Sequence, residues 1–134
     1  MLKHRLGHTL CLLGAFLLLA SATILNPSSD VAARAFGSSD IITLTNGARM
    51  QLGGTELIAN TKLTSAAQAK ADDMVSKKFF AHVAPDGTMA WDYIKKVNYI
   101  YDVAGENLAI TNESADTVIQ SWMNSPSHRD NIVN

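Results

Sequence analysis

Apolar positions recur at helical spacing from about residue 40 onward. In the first such stretch they are Ile41, Leu44, Ala48 and Leu52. Ser39 suits an N-cap ahead of this run, and Gly53-Gly54 suits its end. Because an interval of three or four residues places side chains on one face of a helix, the pattern predicts a helix with a single buried stripe.

A second helix is predicted to begin at Asn60 or Thr64 and to fray near Lys77-Lys78. Its apolar stripe consists of Leu63, Ala67, Ala71 and Met74. The small alanine side chains permit close packing against a neighbouring element. The stretch FFAHVAPDGT follows at 79–88. Its Pro85-Asp86-Gly87 segment predicts a turn, because Pro fixes φ and Gly accepts a positive φ.

Shorter elements follow this turn. A helix is expected over 89–97 with Trp91 and Ile94 buried, and YIYDV at 99–103 is expected to be extended. AGENLAI at 104–110 predicts a glycine turn that leads into a short strand. The strand signals are short throughout, so the pattern predicts that either the domain is mainly helical or the chain is incomplete.

A last long helix is predicted over 115–124, capped by Ser114 or Thr111. Its core side consists of Val118, Ile119 and Trp122. Ser125-Pro126-Ser127 is expected to break this helix, because proline cannot continue it. A new helical turn is expected to begin at His128.

Residues 1–22 have the order of regions that is typical of a secretory signal peptide. Lys3 and Arg5 form a basic start, residues 9–19 are apolar, and Ala20-Ser21-Ala22 suits cleavage after Ala22. An uncleaved membrane anchor that extends to about residue 25 is the alternative. Both interpretations place a linker at 23–39 and a domain at 40–134 outside the cytoplasm, either extracellular or at the cell surface.

The composition of the chain mainly excludes features, namely disulfides in the predicted domain and a nucleic-acid partner. The only cysteine, Cys11, lies in the apolar N-terminal run, so the predicted domain has no disulfide and depends on core packing. Beyond residue 22 the chain keeps nine of its 11 basic residues and all 12 acidic ones, which gives a net charge of about −3. Because there is no basic stripe, we expect no nucleic-acid partner. A membrane is expected to be contacted only through an uncleaved N-terminal segment.

Two histidines, His82 and His128, remain in the predicted domain. With Glu106 they form a minimal set for a metal site with an open position, or for acid–base chemistry near neutral pH. Nearby amide and hydroxyl groups belong to Asn107, Ser125 and Ser127. No HExxH, CxxC, GxSxG or phosphate-binding glycine loop is present. A structural role stays open, in which His82 packs beside Phe79-Phe80 and Glu106 caps a turn.

Five segments, in this order and spacing, resemble the CAP superfamily of cysteine-rich secretory proteins, venom allergens and plant pathogenesis-related proteins. They are TNGAR at 45–49, KLTSAAQAKADDM at 62–74, FFAHVAPDGT at 79–88, YIYDVAGENLA at 99–109 and VIQSWMNSPSHRDNI at 118–132. Each segment alone is a weak signal, but five in register are specific. The chain looks like the bacterial SCP-like extracellular branch, over residues 40–134.

The resemblance implies an α+β fold, an α-β-α sandwich in which helices enclose a small antiparallel sheet. It also implies a cleft that holds His82, Glu106 and His128, with Asn107 and Ser125 as further cleft residues. Some members bind zinc or another divalent cation through the two histidines. The eukaryotic pattern has a further glutamate where this chain has Ser125, so the resemblance gives less support to a glutamate-dependent activity.

Two further departures concern the end of the chain. Ser127 stands where the family usually has glycine; a positive φ there would cost about 1 kcal/mol or more. If Ser127 instead caps the turn that begins at His128, it causes no strain. The family's domain continues beyond this segment with two strands, so a C-terminal truncation is expected.

Three functions follow from the resemblance, in this order. The first is a secreted or cell-surface binding module whose His/Glu cleft takes an extracellular ligand, such as a lipid or other small molecule. The second is a structural cell-surface domain with a vestigial cleft. The third is a hydrolase in which His82 or His128 acts as the base, Glu106 orients it and a metal-bound water can replace the missing nucleophile. Fold alone does not decide among them.

Overall fold

The structure is a computed structural model that describes residues 12–13 and 36–134. These residues form five helices and two very short strands: β1 (Leu12–Leu13), α1 (Ser38–Gln51), α2 (Thr61–Ser76), α3 (Ala90–Lys96), β2 (Gly105–Glu106), α4 (Ala115–Asn124) and α5 (Pro126–Val133). The prediction of a mostly helical chain is confirmed. Within the described ranges, none of the helices has the length and apolar character needed to cross a membrane.

Most of the predicted N-terminal segments lie outside the described residues. This applies to the signal peptide or anchor, apart from Leu12–Leu13, and to the linker, apart from residues 36–39. Ser38 and Ser39 already belong to α1, so this helix begins two residues earlier than predicted.

Side-chain caps explain where α2 and α4 begin. Asn60 Oδ1 accepts hydrogen bonds from the backbone N–H groups of Lys62 at 3.0 Å and Leu63 at 3.4 Å. Ser114 Oγ accepts one from the N–H of Thr117 at 3.3 Å. These bonds satisfy first-turn N–H groups that have no partner inside the helix. Of the alternatives that the sequence left open, Asn60 and Ser114 are the caps used.

The starts of α1 and α5 differ from the prediction. At α1 the Asp40 carboxylate accepts a hydrogen bond from the N–H of Gly37 at 2.9 Å, and Ser39 is not the cap. α5 begins at Pro126 rather than at His128. Proline suits the first helical position, because its φ is preset and no N–H is needed there. The segment Ser125-Pro126-Ser127 therefore ends one helix and starts the next.

The described core has two main clusters. Where α2 packs on α3, the buried residues are Leu63, Ala66, Ala90, Tyr93 and Ile94. Where α1, α4 and α5 meet, they are Ile41, Ala115, Val118, Ile119, Trp122 and Ile132. Leu108 links the two regions: its side chain packs with Ala71 and Met74 of α2, and its carbonyl accepts a hydrogen bond from the Trp122 indole at 3.1 Å. The segment after β2 is thus fixed from both sides.

Some predicted core positions lie at the surface. Trp91 is 36% exposed and Leu52 is 52% exposed, so their predicted burial is wrong. The Trp91 ring lies beside that of Tyr101, with 6.4 Å between the ring centres. Residues 99–103 form no strand: Tyr99 and Tyr101 pack against the α2–α3 cluster while Ile100 is almost fully exposed. Packing against helices, rather than strand pairing, accounts for this alternation.

The described strands pair in parallel, with Leu12 opposite Gly105 and Leu13 opposite Glu106. They do not form the small antiparallel sheet that the resemblance implied, and the sandwich architecture stays a prediction. An isolated antiparallel bridge joins Val83 to Met89 across the predicted turn.

The Pro85-Asp86-Gly87 turn is confirmed. The Ala84 N–H donates to the Thr88 carbonyl at 2.9 Å, and Gly87 has a φ of 86°. A residue with a side chain would be strained at this φ. The turn therefore closes a compact loop that begins next to His82.

A buried arginine ties α5 to α1. The Arg49 guanidinium donates to the carbonyls of Ile132 and Asn134 at the end of α5, and to the carbonyl of Thr55 at 2.7 Å. Carbonyls in the last turn of a helix lack partners inside the helix, and a cation there also complements the helix dipole. Arg49 thereby fixes the position of the helix that carries His128.

Candidate functional site

An open cavity of about 280 Å³ lies between the loop before α3, the first residues of α3, the strand β2 and the start of α5. Its polar lining residues include His82, Glu106, Ser127, His128 and Asn131, and its apolar ones include Val83, Met89 and Trp91. The fold therefore brings His82, Glu106 and His128 to one cavity. We call this cavity the cleft.

Two predicted cleft residues do not line the cleft. Asn107 is fully buried, and Ser125 lines a separate hollow of about 530 Å³ between Phe80 and α4. His128 lines both spaces. Ser127 lies in the first turn of α5 without a positive φ, so neither the strain nor the capping role considered for it applies.

Glu106 holds the ring of His82. Its side chain is 4% exposed, and Oε2 accepts a hydrogen bond from His82 Nδ1 at 2.7 Å. Since an ionised carboxylate only accepts hydrogen bonds, this contact assigns the proton of a neutral His82 to Nδ1. The His82 side chain is 60% exposed and lines the cleft, and in this tautomer its other ring nitrogen, Nε2, carries a lone pair.

Lys70 of α2 neutralises Glu106 from inside the protein. Its ammonium lies 2.9 Å from Oε1 and donates to Oε2 at 3.1 Å, with only 1% of the lysine side chain exposed. The contact with Oε1 is ionic, because it lies off the direction of a hydrogen bond. The same ammonium donates to the His82 carbonyl at 2.6 Å. The cleft thus rests on a buried Lys70–Glu106 ion pair.

The second histidine is placed through backbone and amide contacts. The Asn107 side-chain amide donates to the His128 carbonyl at 2.9 Å, and accepts a hydrogen bond from the Asn131 amide at 2.9 Å. Asn131 also donates to the Glu106 carbonyl at 3.1 Å. Adjacent residues of the GEN motif therefore each hold one histidine, Glu106 by its side chain and Asn107 by its amide.

Gly105 allows this close approach between β2 and α5. A Cβ atom at this position would lie 2.9 Å from Asn131 Oδ1 and 3.3 Å from Asn131 Cβ. The Asn131 side chain cannot move away without losing its two hydrogen bonds. The first residue of the GEN motif is thus required by packing.

His128 has a hydroxyl partner in place of a carboxylate. Its Nδ1 lies 2.9 Å from Ser125 Oγ, and Ser125 makes no side-chain cap to α5. A hydroxyl can donate or accept, so this contact is compatible with either neutral tautomer of His128. The two histidines therefore differ: His82 is oriented by a charge, His128 by a neutral group.

A surface network anchors the loop that carries His82. The Lys77 ammonium contacts Asp73 at 2.9 Å and Asp86 at 2.8 Å, and the Tyr93 hydroxyl donates to Asp73 at 2.6 Å. The hydrogen bond from Lys77, followed by those from Thr88, holds the pKa of Asp86 well below its usual range. Burial, and then the bond to Asp73, raises the pKa of Tyr93 to about 12.

The candidate metal ligands of the cleft are its two histidines. Among the described residues, no group of three or more His, Cys, Asp or Glu side chains is placed to hold a metal ion. His82 and His128 share the cleft, but the Lys70 ammonium already engages both oxygens of Glu106 and would repel a cation there. Zinc binding through the two histidines stays a prediction from the resemblance.

Lys70 and Asn131 were missed by the sequence analysis. Lys70 lies within the apolar stripe of α2, between Ala67 and Met74 at helical spacing. A lysine at a core-facing position signals a buried charge partner, because lysine is almost never fully buried unless paired. Asn131 lies one turn after His128 on the same helix. This spacing could have predicted that Asn131 lies close to His128.

Comparison with known proteins finds one matching family and two bacterial relatives. The Cysteine-rich secretory protein family, CAP, matches residues 42–134. "Uncharacterized protein YkwD" of Bacillus subtilis (strain 168) is 36% identical over 94 residues, which are 70% of this chain and 37% of that protein. "Uncharacterized membrane protein YlbC" of the same strain is 27% identical over 94 residues, 70% of this chain and 27% of that protein. No solved structure matches the chain significantly.

The chain thus spans about a third of the length of these curated relatives. Both come from a bacterium, which agrees with the bacterial branch predicted from the sequence. The family match covers well over half of the chain and includes the whole cleft. The chain therefore belongs to the CAP family, the cysteine-rich secretory proteins.

Proposed function

We propose that this protein is a binding module whose cleft takes a small extracellular ligand. The observation that carries the proposal is the oriented His82 ring, whose Nδ1 is engaged by Glu106 while the side chain stays 60% exposed in an open cavity. A histidine with only a packing role has no need of a buried ion pair behind it. The arrangement supports recognition of a ligand at the remaining nitrogen, Nε2.

The lining of the cleft indicates the kind of ligand. The lone pair of His82 Nε2 accepts a hydrogen bond, so it suits a ligand hydroxyl or amine. Val83, Met89 and Trp91 add exposed apolar surface at the same cavity. A volume of about 280 Å³ is at the lower limit of the roughly 300–1,000 Å³ common for small-molecule sites. We therefore propose a small amphipathic ligand, or the polar end of a lipid whose chain extends out of the cleft.

A hydrolase is the weaker candidate. The His82–Glu106 pair has the geometry of a base with its orienting carboxylate, which favours this reading. A nucleophile is harder to assign. The Ser125 hydroxyl lies outside the cleft, and the Ser127 hydroxyl lines it but is not the hydrogen-bond partner of either histidine ring. Among the described residues, no group of three or more His, Cys, Asp or Glu side chains is placed to hold a metal ion that would activate a water. Turnover of ester or peptide libraries that His82→Ala abolishes, with the fold intact, would establish an enzyme.

Location is part of the proposal. The N-terminal sequence suits export, and one relative is described as a membrane protein. We propose that the domain acts outside the cytoplasm, either released or held at the cell surface. If no ligand binds in the cleft, the alternative is a structural role at the cell surface.

The test is a screen of small amphipathic fragments that carry a hydroxyl or amine, followed by NMR of the full chain. Fragments should perturb signals from residues that line the cleft, and His82→Ala should weaken their binding at least tenfold. Lys95→Ala, at an exposed position outside the cleft, is the matched control and should bind as the wild type does. Fragments that bind equally well to the His82→Ala variant, or no binding at all, would overturn the proposal.

A further inference from the structure

Lys70 occupies a position where packing alone would favour an apolar residue. It lies on the buried face of α2 together with Leu63, Ala66 and Met74. Its side chain is 1% exposed, and its ammonium contacts three oxygen atoms: both carboxylate oxygens of Glu106 and the carbonyl oxygen of His82. Each of these acceptors belongs to a residue that lines the cleft.

A buried ion pair is a costly way to stabilise a fold. Desolvation of two charges can exceed their attraction, and apolar residues of similar volume often stabilise as well or better. A pair at such a position therefore calls for a role that an apolar residue cannot fill. Here the lysine ammonium contacts both oxygens of the Glu106 carboxylate, and Oε2 of that carboxylate fixes the ring of His82.

We propose that Lys70 is the positioning residue of the cleft. Its ammonium compensates the Glu106 carboxylate, which then accepts a hydrogen bond from His82 Nδ1 and leaves the Nε2 lone pair open to the cleft. The bond to the His82 carbonyl holds the backbone of the same residue, so one ammonium fixes both the position and the tautomer of the histidine. This inference extends the proposed function. It rests on that function only in one respect, namely that the lone pair of His82 Nε2 binds the ligand.

The tautomer distinguishes this role from ordinary core packing. Without Lys70, the Glu106 carboxylate and the His82 carbonyl lose the ammonium that they share, so Oε2 is no longer held against Nδ1. The ring then lacks the acceptor that keeps the proton of its neutral form on Nδ1, and Nε2 can carry that proton instead. A lysine that only filled space would leave the tautomer unchanged when replaced.

The experiment is long-range ¹H–¹⁵N NMR of the full chain with ¹⁵N-labelled histidine, at about pH 8, with a chelator and without ligand. His82→Ala assigns the His82 signals. In the wild type, Nδ1 should carry the proton and Nε2 should not. Lys70→Met should lose this pattern, whereas Lys62→Met, on the same helix with its ammonium on an exposed carbonyl, should keep it.

Two results would overturn the inference: a wild-type His82 protonated at Nε2, or a folded Lys70→Met variant with the wild-type pattern. If Lys70→Met does not fold, Lys70→Gln keeps N–H donors without the charge, and the same loss is expected. A wild-type His82 protonated at Nε2 overturns the inference even if neither variant folds. Because the tautomer is measured without ligand, a failed fragment screen does not change this result. In turn, a different tautomer does not change whether fragments bind in the screen.

Discussion

Two consecutive residues, Glu106 and Asn107, hold the two histidines in different ways. Glu106 fixes the ring of His82 through a charged hydrogen bond of 2.7 Å, whereas Asn107 holds the backbone carbonyl of His128 at 2.9 Å. Charged hydrogen bonds are roughly twice as strong as neutral ones. At the scale of the residue, the cleft is therefore asymmetric: its strongest interactions are those that Glu106 makes with His82 and with Lys70.

Lys70→Met is expected to lower the free energy of unfolding by about 3–5 kcal/mol, because it leaves a buried carboxylate without its counter-charge. Urea unfolding followed by circular dichroism measures this loss. Lys62→Met should change the stability by less than about 0.5 kcal/mol, since that lysine is exposed. The double variant Lys70→Met/Glu106→Gln should recover most of the loss. If the two single losses simply add in the double variant, the ion pair is not the cause.

At the scale of the elements, the cleft depends on how closely β2 approaches α5 and on how firmly the loop at 79–89 is anchored. The close approach depends on Gly105, because there is no room for a side chain at this position next to Asn131. The anchoring of the loop depends on the Lys77 network, which ties α2 to the Asp86 turn, and through Tyr93 to α3. Each contact can be removed singly.

Gly105→Ala is expected to destabilise the fold by about 1–3 kcal/mol, because the new methyl group displaces Asn131 and breaks its bonds to the GEN motif. Gly47→Ala in α1 is the matched control. Its Cβ would meet nothing within 4 Å, so the same change there should stabilise the helix by about 0.5–1 kcal/mol. Equal effects of the two substitutions in urea unfolding would contradict the packing role of Gly105.

Because of Tyr93, the free energy of unfolding is expected to depend on pH in the alkaline range. The pKa of Tyr93 is raised to about 12 in the folded protein, against an ordinary value of about 10. A group whose pKa rises on folding contributes its stability fully below the unfolded pKa and loses it as pH rises through the folded pKa. The free energy of unfolding should therefore fall between about pH 10 and 12. Tyr93→Phe should reduce this slope, and an unchanged slope in that variant would exclude Tyr93 as its source.

The sequence predicts the elements better than the cleft. The caps at Asn60 and Ser114 are local signals, since each side-chain oxygen and the backbone N–H groups that donate to it lie within three residues. α4 begins where it was expected, and α2 begins at the earlier of its two predicted starts. The start of α5 was misplaced because Pro126 both ends α4 and opens the next helix. The burial of Lys70 and the exposure of Trp91 depend on partners distant in sequence, which helical periodicity does not reveal.

At the scale of the whole molecule, the helices of the described chain serve to bring two histidines from distant segments to one opening. Arg49 sets the end of α5, Leu108 joins the two core clusters, and the GEN motif connects both histidines. The family was predicted correctly from five short segments. The kind of ligand stays a prediction, because recognition depends on the spacing of side chains across the cleft rather than on any one motif.

Both histidines line the cleft, and we propose that His82 and His128 contact the same ligand there. Titration of a hydroxyl- or amine-bearing fragment into the full chain, with the ring signals of both histidines followed by NMR, tests this claim. We expect the two sets of signals to shift together with one dissociation constant, and both responses to weaken at least tenfold in His82→Ala or Glu106→Gln. A fragment that shifts only one histidine, or that shifts His128 unchanged after His82→Ala, would contradict the claim.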